Sequence, residues 1–272
     1  MSVKRHEHGQ EPRRFKDVLV AEEPFTVVWQ SLDGTSERLA STMRTPGDDL
    51  SLAAGMLLSE GVLRGKNELK QLSFCAGGGV NELNRLKAEL RLTGAQIQER
   101  LSHRPSAGLP QSACGLCALD DLSSPQTLLK WSASRYQGSP AAADRELLVR
   151  ALRALDQSSP LFSSTGASHA TAVLAADGAA LRVAEDVGRH NACDKALGGL
   201  LLETDGPFQL PPETGVLFSS RLSFELASKA AVAGAAWIAS VGAPTHLAVA
   251  LAQRLNMPLY GFVSEERYNQ YS

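Results

Sequence analysis

Long apolar runs are missing from this chain. No stretch reaches the roughly 20 residues that a helix needs to cross a bilayer, so a membrane span is not expected. An excess of charge of either sign is missing too. Twenty-seven basic groups against 29 acidic ones leave a formal net charge of −2, which argues against a general nucleic-acid binder. An anionic ligand would have to be held by a local cluster, since the field of the whole molecule attracts none. Cysteine is scarce: there are four in 272 residues, and only two are close together. That excludes a disulfide scaffold and fits a reducing, cytoplasmic setting. The polar stretch from Met1 to Asp17 lacks the apolar centre of a secretory signal. What is present is 43% hydrophobic composition, enough for one large domain or two small ones.

Four regions follow from the pattern of apolar residues and breakers. Residues 1–17 read as a disordered or loosely attached tail. Residues 18–102 read as a small α+β domain. It opens on an extended segment bearing Val18, Val20, Phe25, Val27 and Trp29, and continues with a helix over Leu50–Leu58 that Gly61 ends. Residues 103–128 form a loop, because two prolines, a glycine and small polar residues precede Cys114-Gly-Leu-Cys117. Residues 129–272 form an α/β domain. There Asp177-Gly178 marks a hairpin between two short apolar segments. Strands over 215–218, 237–241 and 258–263 alternate with helices over 223–236 and 245–255, which predicts a mixed, largely parallel sheet in this half.

The Cys-x-x-Cys pair admits four readings. Structural zinc needs four ligands, and Cys75 and Cys193 stand far off in sequence. A thioredoxin-like redox pair should follow a strand, whereas a proline-bearing loop comes first here. Two buried cysteines acting as small hydrophobes are the bland reading. A reactive thiol suits the small neighbours Ser112, Ala113 and Gly115 best, because thiolate chemistry requires access. Zinc-dependent deamination would need a glutamate two residues after a histidine and a proline before the pair. Ala170-Thr171 follow His169 and Ala113 precedes Cys114, so that chemistry is not expected.

Two further constellations point to an anion. Glu185-Asp-Val-Gly-Arg-His-Asn191, with Lys195 one turn on, lies between a strand and a helix N-terminus, where free backbone N–H groups attract negative charge. Arg189 offers a bidentate fork for phosphate. An ordinary loop with an Asp186–Arg189 ion pair would look the same. The segments Ser219-Ser-Arg221, 240–246 and 264–267 follow predicted parallel strands, where open α/β sheets bind ligands. Ser223 and Thr245 in their vicinity are also plain helix caps.

The Cys114–Cys117 loop and Glu185-Asp-Val-Gly-Arg-His-Asn-Ala-Cys-Asp-Lys195 together resemble the formate dehydrogenase accessory sulfurtransferases, the FdhD family. Ser220-Arg-Leu-Ser-Phe-Glu225, Ala243-Pro-Thr245 and Leu57-Leu-Ser-Glu-Gly61 extend the likeness from about Glu23 to Tyr271. The resemblance implies a cytidine-deaminase-like second half without its zinc site, in a cytoplasmic homodimer. It implies a sulfur carrier that takes persulfide sulfur from a cysteine desulfurase. That sulfur passes to molybdenum bis(molybdopterin guanine dinucleotide), a bound substrate, before insertion into formate dehydrogenase. Cys114 matches the persulfide-bearing position and Cys117 its partner. Phe262, Val263, Ser264, Glu265, Glu266 and Arg267 match a cofactor-binding stretch. Arg189, His190, Asn191, Lys195, Ser220 and Arg221 are expected to help hold the cofactor. The chain departs from the family pattern at Ala118, at Thr165-Gly-Ala167, and at Ser264 and Glu265. The alternative is a non-catalytic chaperone that binds the cofactor without moving sulfur.

Overall fold

The computed structural model describes residues 1–9, 11–75, 84–102 and 125–272, so Cys114 and Cys117 lie outside the described residues. The first 17 residues, expected to be a loose tail, instead form an exposed antiparallel ribbon. Strands β1 (Ser2–Arg5) and β2 (Arg13–Lys16) pair with each other and join neither of the larger sheets.

Strands β3 (Glu23–Gln30) and β4 (Ser36–Arg44) follow, then helix α1 (Asp49–Ser59), β5 (Leu69–Phe74), β6 (Arg85–Leu90) and α2 (Gly94–Ser102). The four strands make a sheet ordered β4-β3-β6-β5. Alternation along β3 turns Phe25, Val27 and Trp29 to one face, and all three are fully buried. Helix α1 is buried from Ser51 to Ser59 because that sheet covers one side of it and a second helix the other.

The second half contains α3 (Pro125–Ala133), α4 (Arg145–Gln157), α5 (Pro160–Thr165), β7 (His169–Leu174), β8 (Ala180–Asp186), α6 (Arg189–Glu203) and β9 (Gly215–Phe218). It ends with α7 (Phe224–Val232), β10 (Trp237–Ser240), α8 (His246–Arg254), β11 (Leu259–Gly261) and β12 (Asn269–Gln270). Its sheet is mixed, in the order β12-β11-β10-β9-β7-β8. The expectation of a mixed sheet holds, but that it is largely parallel needs correction: only β9, β10 and β11 run parallel, and the other three pairings are antiparallel. The reason is connection length. Helices α7 and α8 supply the crossovers that parallel strands need, whereas a tight turn with Gly178 at φ 84° joins β7 to β8 and can only reverse the chain.

The two halves share one core. Trp29, Leu57 and Ala88 from the first pack in the same cluster as Leu197, Val216, Phe224 and Leu251 from the second. Helices α1 and α6 cross at glycines. A Cβ on Gly55 would sit 1.9 Å from the Asp194 carbonyl oxygen, and one on Gly198 would sit 2.0 Å from that of Ser51. Backbone touches backbone at this seam.

Candidate functional site at the carboxyl edge of the large sheet

The parallel strands β9, β10 and β11 end on one edge of the sheet. Because β7 runs against β9, its first residue, His169, lies on that same edge, paired with Asp186 at the end of β8. The loops leaving the strands are stitched together by their backbones. Ser219 N donates to Ala170 O at 3.0 Å, Gly242 N to Ser220 O at 3.2 Å, and Phe262 N to Gly242 O at 3.1 Å. The Ser219 hydroxyl accepts from Ala170 N at 2.8 Å. Phe262 holds a left-handed φ of 54° and is 42% exposed. Such a conformation is costly for an aromatic residue, and the Phe262 N–H bond helps to fix it.

Asp186 is the anchor of the turn that enters α6. It is completely buried and accepts from Thr45 N at 3.1 Å, Gly188 N at 2.8 Å and Asn191 Nδ2 at 3.0 Å. Lys195 Nζ lies 2.7 Å from its Oδ2 and donates to Thr45 O at 2.8 Å. Asn191 Nδ2 also donates to Met43 O at 2.7 Å. Asn191 and Lys195, expected among the ligand-holding residues, therefore face inward. Their polar atoms tie the turn to the junction of β4 and α1. The Asp186–Arg189 ion pair of the plain-loop alternative is not formed: Asp186 pairs with Lys195, six residues beyond Arg189 along α6.

That arrangement leaves Arg189 and His190 on the outer side of the first turn of α6, both partly exposed. Among the described residues the Arg189 and Arg221 guanidinium groups have no hydrogen-bond or ion-pair partner. His190 Nε2 lies 3.0 Å from Glu225 Oε2 on the first turn of α7, off the line of a hydrogen bond. Burial, then the charges of Arg189 and His190, pull the His169 pKa below its ordinary value. Both effects disfavour the protonated form of this imidazole. His169 has no place in the sequence motifs, and only the antiparallel return of β7 brings it here.

The C-terminal stretch divides. Phe262 reaches the strand-end loops, and Val263 is buried with its N–H on Ser240 O at 3.0 Å. Ser264 closes a turn by donating its N–H to Arg267 O at 2.9 Å. Glu265 turns towards α4, where Arg153 Nε meets Oε1 at 3.1 Å and Arg145 donates to its carbonyl at 2.7 Å. Glu266 and Arg267 are exposed.

Of the two cysteines among the described residues, Cys193 is fully buried in α6, and that burial pushes its thiol pKa well up. It is inert as a nucleophile. Its neighbour Asp194 accepts from Ser59 at 2.7 Å and from Lys229 Nζ at 2.6 Å, clamping α6 to α1 and α7. Cys75 follows β5 and is partly exposed. Among the described residues no three His, Cys, Asp or Glu side chains gather as a metal ion requires. No described helix is long and apolar enough to cross a membrane.

The edge just described can be compared with known proteins. Its fold is similar to the crystal structure of a protein from Desulfotalea psychrophila described as a candidate formate dehydrogenase accessory protein. The TM-score is 0.72 at 21% identity, covering 100% of this chain and 95% of that one. The sulfur carrier protein FdhD of Streptomyces coelicolor is 40% identical over 258 residues, 94% of this chain and 87% of the relative. Proteins of the same name from Corynebacterium efficiens and Anaeromyxobacter dehalogenans are 35% and 36% identical over 260 and 261 residues, each spanning 94% of this chain and 89% and 87% of their own. The FdhD/NarQ family model matches residues 20–272, and on that match the chain belongs to the FdhD/NarQ family.

Proposed function

We propose that this chain is a sulfur carrier for formate dehydrogenase maturation. It accepts sulfur on Cys114 from a cysteine desulfurase and delivers it to molybdenum bis(molybdopterin guanine dinucleotide) held at the carboxyl edge. The observation that carries the anion half of this reading is Arg189, partly exposed and unpartnered among the described residues, on the first turn of α6, with Arg221, exposed and likewise unpartnered, in the loop that leaves β9. Guanidinium forks and free helix N–H groups fit the pyrophosphate of a guanine dinucleotide. Asp186, Asn191 and Lys195 fix the turn that presents Arg189 and the first N–H groups of α6. The same reading makes the second half a cytidine-deaminase-like scaffold and the functional unit a cytoplasmic homodimer.

The sulfur half rests on the Cys114-Gly-Leu-Cys117 motif and on the names of the relatives. The Cys114 thiolate attacks the outer sulfur of the donor's persulfide. A new S–S bond forms and the donor's own thiolate leaves. Cys117 then attacks the inner sulfur of the Cys114 persulfide. A Cys114–Cys117 disulfide forms, the outer sulfur departs as sulfide with the two electrons of the two thiols, and a dithiol reductant resets the pair. Eleven residues separate Ser102 from Cys114, a covalent reach of up to about 40 Å over the twelve Cα–Cα steps, enough to span a domain of this size.

Incubation with a desulfurase and cysteine is expected to add one sulfur atom to the wild type and to Cys193→Ala, but none to Cys114→Ala, read by intact-protein mass spectrometry. Sulfur on Cys114→Ala would refute the assignment. Formate dehydrogenase maturation by a Cys114→Ala/Cys117→Ala variant would establish the non-catalytic chaperone instead. For the anion half, Arg189→Ala is expected to weaken binding of guanosine diphosphate, a fragment of the proposed substrate, about tenfold in calorimetry. Unchanged binding would move the site elsewhere.

A further inference from the structure

The N-terminal ribbon lies outside the family match, which begins at residue 20, and outside all three hydrophobic clusters. Its pairing is unusual. Lys4 stands directly across from Arg14, and Arg5 across from Arg13. Like charges facing each other across an antiparallel pair are destabilising, and a lone two-stranded ribbon is marginal in water even without them. Alternation sorts the side chains onto two faces. One carries Val3, Phe15, Arg5 and Arg13, with the Arg5 guanidinium 4.3 Å above the Phe15 ring. The other carries Ser2, Lys4, Arg14 and Lys16, three cations and no acid, all exposed. Among the described residues none of these three cations has an ion-pair or hydrogen-bond partner. Each strand has one neighbour, so its outer edge is open to a further strand.

We infer that this ribbon is a docking element for an acidic, extended segment of a protein partner, which adds to the open edge and sets its carboxylates against Lys4, Arg14 and Lys16. The geometry favours a peptide over other polyanions. Side chains of an added strand fall on the cationic face at every second residue, the spacing of the cations themselves. Glu7, Glu11 and Asp17 flank the ribbon, and the whole chain carries a net charge of −2. Both weaken long-range attraction of any polyanion and leave recognition to short-range pairing with the three cations. Neutralising Lys4 and Arg14 would remove one of the two like-charge pairs between the strands, so binding and ordering of the ribbon reinforce each other.

The full chain is titrated into labelled poly-glutamate and followed by fluorescence anisotropy. Binding is expected to weaken with added salt, and to weaken at least about tenfold in a Lys4→Glu/Arg14→Glu/Lys16→Glu variant. An Arg5→Glu/Arg13→Glu variant, altered on the opposite face, is expected to retain most of the affinity. Amide exchange over residues 2–5 and 13–16 is expected to slow in the complex. Equal binding by the triple variant, equal loss in the opposite-face variant, or unchanged exchange would each overturn the proposal. So would preferential capture of phosphatidylglycerol vesicles or duplex DNA over poly-glutamate.

Discussion

Lys195→Ala is expected to lower the stability of the fold by about 3–5 kcal/mol, the usual consequence of stripping one partner from a buried ion pair. The side chains of Lys195 and Asp186 are 3% and 0% exposed, so water cannot take over the role of the ammonium. Alanine leaves the Asp186 carboxylate with three hydrogen-bond donors and no counter-charge. In a chain of this length the loss corresponds to a fall in Tm of about 10 °C. Urea denaturation measures it directly, and a loss under about 1 kcal/mol would mean that the pair is not buried as described. Adding Asp186→Asn to a Lys195→Met variant is expected to recover part of the loss, because the remaining charge is then removed as well. The consequence for function is local. The turn carrying Arg189 and His190 is held by Asp186 and Lys195, so Lys195→Ala should weaken anion binding even though its Nζ is turned away from solvent.

The second large effect lies at the α1–α6 seam. Gly55→Ala and Gly198→Ala each raise intrinsic helix propensity by about 1 kcal/mol, so on local grounds they would stabilise. The structure reverses the sign. The added methyl of Gly55→Ala would fall 1.9 Å from a backbone carbonyl oxygen, and that of Gly198→Ala 2.3 Å from the backbone nitrogen of Gly55. No rotamer change relieves a clash with backbone, so the helices must part and the shared core opens. A net loss of at least about 2 kcal/mol is expected for each variant by thermal or urea unfolding. A gain in stability from either would show that the helices are not in backbone contact. Parting the helices also displaces the N-terminus of α6, so the guanosine diphosphate affinity should fall together with stability.

Much of the secondary structure is legible locally. Asp177-Gly178 announces the β7–β8 reversal, because glycine is the residue at ease at a φ of 84°. Ser223 and Thr245 cap α7 and α8 by accepting from Leu226 N and Ala248 N. Alternation in β3 marks the buried face of the first sheet. The roles of charged residues are not legible in this way. Asp186, Arg189 and Lys195 lie within ten residues and are all charged, yet the turn points Lys195 into the core and Arg189 outward. Which of two basic residues meets Asp186 depends on where the β4–α1 junction supplies Thr45 and Met43, some 140 positions away. His169 enters the site for a similar reason, through the direction of a strand.

Composition and local pattern by themselves determined the alternating strands and helices of the second half, the Asp177-Gly178 turn, the absence of a general polyanion field, and the cysteine motif that carries the family likeness. Those properties depend on neighbours within a few residues, where periodicity and backbone preference act. Only the tertiary structure decided that two apparent domains share one core, that the sheet is parallel at three strands alone, and which basic groups face solvent. Burial and charge pairing are set by segments far apart in the chain, and a linear pattern holds no record of which of them meet.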